Sequence, residues 1–340
     1  MNKYLFLSVL FLSLHLLACG NNNNNTSEKQ PTASKLEKES QEIATKDNTF
    51  RKGPNFPTQQ AYQWIQKQVD FGPRVPGTQE HKDCAEWIYD NLANYVDEII
   101  MQNIEVQVGD GSMKPCYNIF GQINPEASER ILFLAHWDTR PWADQDDPKS
   151  QDPILGADDG ASGVGVLLAF AKVIKENKVF NKNLGIDILF VDVEDYGKTE
   201  WGNDSYAIGA RKWAEDAKNK GYSATMGILL DMVGAKDARF AMEGYSRQYA
   251  AHVIQKVWGI AHASGYGNYF VYKNGYPITD DHVQINKILN IPTIDIINLP
   301  ENSKTAFVDH WHTQRDNMEI INQNTLEAVG QTLVNFIYNY

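Results

Sequence analysis

The sequence predicts an α/β fold: a three-layer sandwich in which a mostly parallel, twisted central sheet carries helices on both faces. Several short apolar runs lack the polar alternation of half-exposed strands, which is typical of strands buried on both faces. Segments with apolar residues at helical spacing separate these runs, as they do in parallel sheets. The 340 residues are 42% apolar and 22% charged, and this composition is ordinary for a globular protein with a large core.

The folded part is expected to begin near Phe50 with two helices and an edge hairpin. Thr58 can cap a helix whose apolar residues recur at helical spacing. A second amphipathic helix is expected after a turn at residues 75–78. Residues 99–108 then alternate as an edge strand does, with residues 117–123 as the expected partner.

The central strands are expected where apolar residues predominate without polar alternation, over residues 131–135, 186–191, 226–230 and 293–297. Helices are expected between and after these strands, over residues 164–173, 206–217, 246–261, 280–289 and 324–338. We therefore expect residues 50–340 to form a single domain, and we expect it to be monomeric.

Residues 1–18 have the form of an export signal. Lys3 precedes an apolar segment at residues 5–17 that is too short to span a bilayer. The sequence Leu16-Leu17-Ala18-Cys19 resembles the lipobox of bacterial lipoproteins, which implies a lipid-modified Cys19 anchored in the bacterial cell envelope and facing the periplasm. A plain secretory signal and a transmembrane helix are the alternatives. Residues 19–49 are polar and are expected to form a disordered tether.

The charge and the cysteines restrict the partners. A net charge of −12 argues against nucleic acid and against electrostatic binding to anionic lipid, so the lipid anchor is the expected membrane contact. The same charge is compatible with cation binding. Cys84 and Cys116 can form a disulfide in an oxidising compartment or remain buried thiols, and their spacing is not that of a metal site.

Charged residues are concentrated where the central strands are expected to end. They form six short segments: His136-Trp137-Asp138, Asp158-Asp159, Asp192-Val193-Glu194-Asp195, Asp231, Asp280-Asp281-His282 and Asp309-His310-Trp311-His312. Ligands of open α/β sheets bind at the carboxyl ends of the strands, so we expect these segments to converge. Carboxylates held so closely would repel one another and raise their own pKa values unless a cation held them. Aspartate, glutamate and histidine together suit a catalytic zinc ion.

Taken singly, these and other polar residues have simpler explanations. Asp158 and Asp159 precede a helix and can cap it. His81, His252 and His262 are expected at packing or surface positions, with no acidic partner at the sequence spacing of metal ligands. Asp144, Asp146 and Asp147 are expected to be solvated, with a possible role at the rim of the site. The convergence of several segments favours a metal site over these separate explanations.

In this order along the chain, the segments resemble zinc aminopeptidases and their relatives, the animal-type glutaminyl cyclases. The resemblance covers residues 55–340. Asp280-Asp281-His282 before a helix and Trp311-His312-Thr313 after the last strand are similar to the cyclase branch, which includes bacterial lipoproteins.

The resemblance implies one zinc ion per chain, with Asp159, Asp195 and His312 as its ligands. It implies that Glu194 is the general base and acid, and that Asp231 and Asp280 form hydrogen bonds in the site. Trp311 matches a residue of the substrate pocket, and Trp201 lies one position away from the family's pocket tryptophan. Asp195 stands where many members have the longer glutamate. Asp158 is expected to cap or support the loop.

The implied function is that of a glutaminyl-peptide cyclotransferase, an aminoacyltransferase that converts the N-terminal glutamine of peptides and proteins to pyroglutamate with release of ammonia. The alternative is a two-zinc aminopeptidase whose ligands would be His136, Asp159, Asp195, Asp231 and His312. Asp280-Asp281-His282 favours the cyclase, since this segment can engage the second-metal residues through hydrogen bonds. A third possibility is a protein that binds ligands at the same site without catalysis.

Overall fold

The computed structural model describes residues 33–38, 50–177, 181, 183–301, 303 and 305–340. The predicted signal and Cys19 lie outside the described residues. The described residues contain no helix of sufficient length and apolarity to span a membrane. The described part of residues 31–340 forms one compact unit.

The strands described are β1 (Glu98–Gln107), β2 (Met113–Ile123), β3 (Glu129–His136), β4 (Leu184–Val191), β5 (Met226–Asp231), β6 (Phe240–Met242), β7 (Phe270–Asn274) and β8 (Thr293–Ile297). All but β6 and β7 lie close to predicted positions. Six of the strands described form one sheet in the order β1-β2-β4-β3-β5-β8. Strands β4, β3, β5 and β8 run parallel, and the β1–β2 hairpin adds two antiparallel strands at one edge.

Helices cover both faces of this sheet. They are α1 (Thr58–Asp70), α2 (Gln79–Ala93), α3 (Ala161–Glu176), α4 (Ile208–Asn219), α5 (Gly244–Ala263), α6 (Asp281–Leu289) and α7 (Gln323–Tyr338). Helices α4 and α6 pack on one face and the other five on the opposite face. In β3, Ile131 and Phe133 face the larger core whereas Leu132 and Leu134 face the smaller one. The predicted three-layer α/β sandwich is confirmed.

Two short strands were not predicted. β6 and β7 pair in parallel as a separate two-stranded sheet. They span three and five residues, which is too short for a periodic pattern to distinguish them from loops.

The expectation of a featureless tether over residues 19–49 needs one correction. Residues 33–38 are helical, and Leu36 is completely buried within the larger core. A single leucine in a polar segment shows no periodicity, so the sequence did not indicate this contact.

The alternatives for the cysteines are resolved in favour of thiols. Cys84 and Cys116 are both free and buried. Burial raises the pKa of Cys84 to about 12, so this thiol is unreactive at neutral pH.

Candidate metal centre

The carboxyl ends of parallel strands bring charged residues to one edge of the sheet. β3 ends at His136 and β5 ends at Asp231, while the loop after β4 continues through Glu194 and Asp195. The loop before α3 adds Asp159, one of whose oxygens lies 3.1 Å from His136 Nε2. Segments distant in the chain therefore meet where open α/β sheets bind their ligands.

The three predicted metal ligands lie together. His312 Nε2 is 3.2 Å from Asp195 Oδ1 and 3.8 Å from Asp159 Oδ2, and the candidate ligand atoms of the three residues lie within 4.8 Å of one another. Asp159 Oδ2 and Asp195 Oδ2 are buried without a hydrogen-bond partner. Buried carboxylate oxygens without donors are unfavourable, and a cation would compensate them. Two carboxylates and one imidazole nitrogen fit a zinc ion with an open position for substrate.

A glycine allows Asp159 to approach this site. Gly160 has φ = 101°, a conformation that glycine adopts at little cost. A Cβ atom at Gly160 would lie 2.7 Å from the carbonyl oxygen of Asp138. The small residues after Asp159 are therefore required for the close passage of the loop over the end of β3.

Asp158 supports the loop, as expected from the sequence. Its Oδ1 accepts hydrogen bonds from the N–H groups of Gly234 (2.7 Å) and Ala235 (3.1 Å). Its Oδ2 lies 2.9 Å from His310 Nε2. Asp158 thus links the loop before α3 to the segment after β5 and to His310, which is not one of the candidate ligands.

The turn that presents Glu194 and Asp195 contains an unfavourable backbone conformation. Val193 has φ = 53°, which is rare and costly for a β-branched residue. Asp192 accepts a hydrogen bond from the Val193 N–H at 2.7 Å. The carboxylate of Asp138 accepts hydrogen bonds from the next two backbone N–H groups, those of Glu194 (3.1 Å) and Asp195 (3.2 Å). These bonds hold the turn in the conformation that aims both side chains at the cleft.

His81 occupies a packing position, as expected, and also has an acidic partner that spacing along the sequence did not show. His81 is completely buried, and its Nε2 lies 2.9 Å from both carboxylate oxygens of Asp192. The ring also stacks on Trp137 with centroids 4.5 Å apart. The two partners are 111 residues apart in sequence, so only the folded chain reveals that His81 supports the turn after β4.

Glu194 has the electrostatic environment of a proton-transfer group. Burial raises its pKa well above the usual range, and the negative charges of Asp195 and Asp280 act in the same direction, while His136 opposes the shift. A carboxyl group with a raised pKa can both accept and donate a proton near neutral pH.

Asp231 and Asp280 also line the cleft. Burial raises the pKa of Asp231 to about 8, the charge of Asp280 adds to the shift, and the hydrogen bond with His136 opposes it. Burial likewise raises the pKa of Asp280, whose carboxylate accepts the N–H of Asp281 at the start of α6. The structure brings both residues to the cleft, and their catalytic roles stay predictions.

A second group of possible ligands shares Asp159 with the first. His136 Nε2 lies 3.1 Å from Asp159 Oδ1 and 3.3 Å from Asp231 Oδ1. These are the additional residues of the two-zinc alternative. Both groups are therefore possible metal sites, and the number of ions stays a prediction.

The cleft has an apolar wall beside the candidate ligands. Trp311 lies in this wall, stacked on Phe307 (4.1 Å between centroids) and on His312 (3.6 Å). Three further lining residues were missed because they belong to no motif: Tyr206, Ile278 and Phe307. Thr279, which directly precedes the Asp280-Asp281-His282 segment, lines the cleft as well.

Trp201 is not among the residues that line the cleft. It packs against Gly109, and its ring centroid lies 5.9 Å from that of Trp142. Trp201 is the last residue of the 3₁₀ turn Thr199–Trp201. Its position does not support the prediction that it contributes to the substrate pocket.

Asp144 is not the solvated residue that the sequence suggested. It forms an ion pair with the buried guanidinium of Arg140, and it faces His312. Burial alone would raise the pKa of Asp144, but His312 and Arg140 hold it below its usual range. An arginine and an aspartate in a polar loop carry no periodic or motif signal, so neither role was predictable.

The sequence profile of peptidase family M28 matches residues 118–337. Among solved structures, Bacteroides thetaiotaomicron glutaminyl cyclase bound to N-acetylhistamine is 43% identical and has a TM-score of 0.81, with 85% of this chain and 99% of that chain covered. A Zn-dependent exopeptidase from Parabacteroides distasonis is 44% identical with a TM-score of 0.81, covering 84% and 99%. A curated glutaminyl-peptide cyclotransferase from Boiga irregularis is 23% identical over 252 residues, which span 66% of this chain and 65% of that relative.

Proposed function

The chain belongs to peptidase family M28, and from this membership we propose that it is a zinc-dependent glutaminyl-peptide cyclotransferase. Its substrates would be peptides and proteins with N-terminal glutamine, and its products pyroglutamyl chains and ammonia. One observation carries the proposal: the carboxyl group of Glu194 lines the same cleft as the three candidate metal ligands Asp159, Asp195 and His312. The glutaminyl cyclases among the similar structures support it.

Asp159, Asp195 and His312 would hold the zinc ion, one per chain. When bound there, zinc supplies Lewis-acid polarisation of the substrate's side-chain amide carbonyl. The unpartnered oxygens of the two carboxylates support this assignment.

Glu194 would move the proton that the reaction requires. Its carboxylate accepts a proton from the substrate's α-amine as that nitrogen bonds to the side-chain amide carbon. The same carboxyl then donates the proton to the amide nitrogen, whose bond to carbon breaks, so that ammonia leaves. The substrate is its own nucleophile, so orientation contributes much of the rate, and Trp311 with Phe307 forms a wall that can orient it and exclude water.

The product identifies the reaction. A glutaminyl amide of a fluorogenic amine should yield the pyroglutamyl amide, detected by mass spectrometry as a loss of ammonia from the intact substrate. Release of the free amine and glutamine would instead show hydrolysis of the peptide bond and would exclude the cyclase.

A two-zinc aminopeptidase is the second candidate, because His136, Asp159 and Asp231 also form a possible ligand group. In that enzyme Glu194 would take a proton from water. Two tightly bound zinc ions per chain, together with the hydrolytic product, would favour it. One ion with the pyroglutamyl product is expected instead.

We also propose that the protein is a lipoprotein of the bacterial cell envelope, anchored through Cys19 and facing the periplasm. The lipobox-like sequence at residues 16–19 supports this location. The catalytic domain is assigned to residues 50–340, preceded by the tether.

A further inference from the structure

A buried arginine lies behind the candidate metal ligands and holds an aspartate in place. Arg140 is 2% exposed. Its Nε donates to Asp144 Oδ1 at 2.9 Å, and its Nη2 donates to Asp144 Oδ2 at 2.7 Å. A two-point contact of this kind fixes both the position and the plane of the carboxylate.

Asp144 faces the ring nitrogen of His312 that points away from the other ligands. His312 Nδ1 lies 3.3 Å from Asp144 Oδ1, whereas Nε2 lies 3.2 Å from Asp195 Oδ1. Nδ1 is buried without a hydrogen bond of good geometry, so the carboxylate of Asp144 acts on it through its charge. A neutral imidazole carries one proton, and a metal binds the nitrogen that lacks it. A carboxylate beside Nδ1 stabilises the proton there and leaves the Nε2 lone pair directed at Asp159 and Asp195.

Arg140 also contacts a second ligand directly. Its Nη1 donates to Asp195 Oδ1 at 3.0 Å and to the carbonyl oxygens of Asp195 and Gly197, both at 3.1 Å. These bonds restrain Asp195 while its Oδ2 stays without a partner. One guanidinium therefore orients Asp195 itself and, through Asp144, the imidazole of His312.

We propose that Asp144 is a positioning residue of the metal site: held by Arg140, it fixes His312 as the tautomer with the proton on Nδ1 and so increases the affinity for zinc. This inference rests on the ligand assignment of the proposed function. Partners of ligating histidines typically contribute 10- to 100-fold in metal affinity. Loss of the Asp144 charge would also leave Asp195 as the remaining carboxylate partner of Arg140 at this site, and the excess positive charge near the ion weakens cation binding in the same direction.

The test is the substitution Asp144→Asn, which preserves size and an acceptor oxygen but removes the charge. Zinc affinity is measured on the metal-free protein by competition with a chromogenic chelator. We expect the dissociation constant to rise about 10- to 100-fold. The increase in Tm on adding zinc should shrink as well. Because the increase in Tm compares the zinc-free and zinc-bound forms of the same variant, it distinguishes weaker metal binding from a general loss of stability.

Two further variants complete the comparison. Asp147→Asn removes the same charge from an exposed residue of the same loop, where Asp147 Oδ1 accepts the Lys149 N–H, and it should leave zinc affinity unchanged. Asp144→Glu restores the carboxylate, and its affinity should lie between those of the wild type and Asp144→Asn. If Asp144→Asn shows no cooperative unfolding transition, the comparison with the wild type is made with Asp144→Glu instead.

The outcomes separate this inference from the function on which it rests. If the wild type binds no zinc, or if His312→Ala binds it as tightly as the wild type, the ligand assignment fails. If the wild type binds zinc and Asp144→Asn binds it equally well, only the role of Asp144 is overturned. An equal loss in Asp147→Asn would show a long-range charge effect and would also overturn it.

Discussion

At the scale of single residues, Glu194 is the group on which the proposed proton transfer depends. Burial and the nearby carboxylates raise its pKa, and its neighbour Asp195 belongs to the ligand group. Two adjacent side chains thus have separate assignments, one for the proton and one for the metal.

Glu194→Gln should therefore abolish turnover without releasing zinc. General acid–base groups contribute about 10²- to 10⁴-fold in rate, and a glutamine cannot accept and return the proton. We expect kcat to fall by about that factor in steady-state assays, while elemental analysis finds the same zinc content as in the wild type. Glu200→Gln, a change at an exposed residue of the following turn, is the matched control. Zinc loss in Glu194→Gln would mean that base and ligand had been confused.

The residues of the site differ in how far the sequence could identify them. Asp159, Asp195 and His312 were identified because short segments around them resemble a family. Arg140, Asp144 and His81 were not, since their roles arise from contacts with residues distant in the chain, such as His81 with Asp192. Pocket residues such as Phe307 and Tyr206 depend on the paths of loops, which local patterns do not determine.

At the scale of elements, the turn after β4 shows how the fold positions the site. Val193 has a left-handed backbone conformation. The carboxylates of Asp192 and Asp138 stabilise it by accepting hydrogen bonds from backbone N–H groups of the turn. His81 on α2 stabilises the buried Asp192 carboxylate, so a helix on the sheet face supports the turn at the sheet edge.

His81→Ala should destabilise the protein and disturb this turn. The buried Asp192 carboxylate would lose its side-chain donor and keep only the backbone N–H groups of Tyr117 and Val193. A hydrogen bond to a charged group contributes about 1.5 to 3 kcal/mol. Chemical denaturation of the metal-free protein should show a loss of this size in the free energy of unfolding. His252→Ala, at an exposed position of α5, should change it little. A His81→Ala protein as stable as the wild type would contradict the supporting role.

The elements themselves were largely predictable, and the reason is burial. β4 is buried along its whole length, so its sequence is apolar without alternation, and the edge strand β1 alternates because one side is exposed. Strand order was not predictable from these patterns: β3 lies between β4 and β5, an arrangement that depends on how the connecting helices pack.

At the scale of the whole molecule, the proposed lipid anchor determines where the catalytic domain acts. Acyl chains on Cys19 would contribute about 0.8 kcal/mol for each buried methylene, and stable anchoring requires more than one chain. The domain itself needs no membrane contact for the proposed reaction.

Cys19→Ser should release an active enzyme from the membrane. In cell fractionation, the wild type should sediment with membranes and incorporate labelled palmitate, whereas the variant should do neither and should retain the turnover of the purified domain. Wild-type protein recovered free of membranes would indicate a cleaved secretory signal. A variant that still sediments with membranes would indicate a retained hydrophobic segment.

The candidate metal centre combines segments that are synthesised at different times. Asp158 and His310, which flank two of the candidate ligands, are in contact although 152 residues separate them, and His312 follows the last central strand, β8. A partly synthesised chain that ends before this point lacks the imidazole ligand and the contacts that orient the others. Formation of the metal centre must therefore be a late event in folding, after the non-local pairing of the sheet. If the chain is exported unfolded, the proposed zinc ion would bind at the destination and not in the compartment where the chain was made.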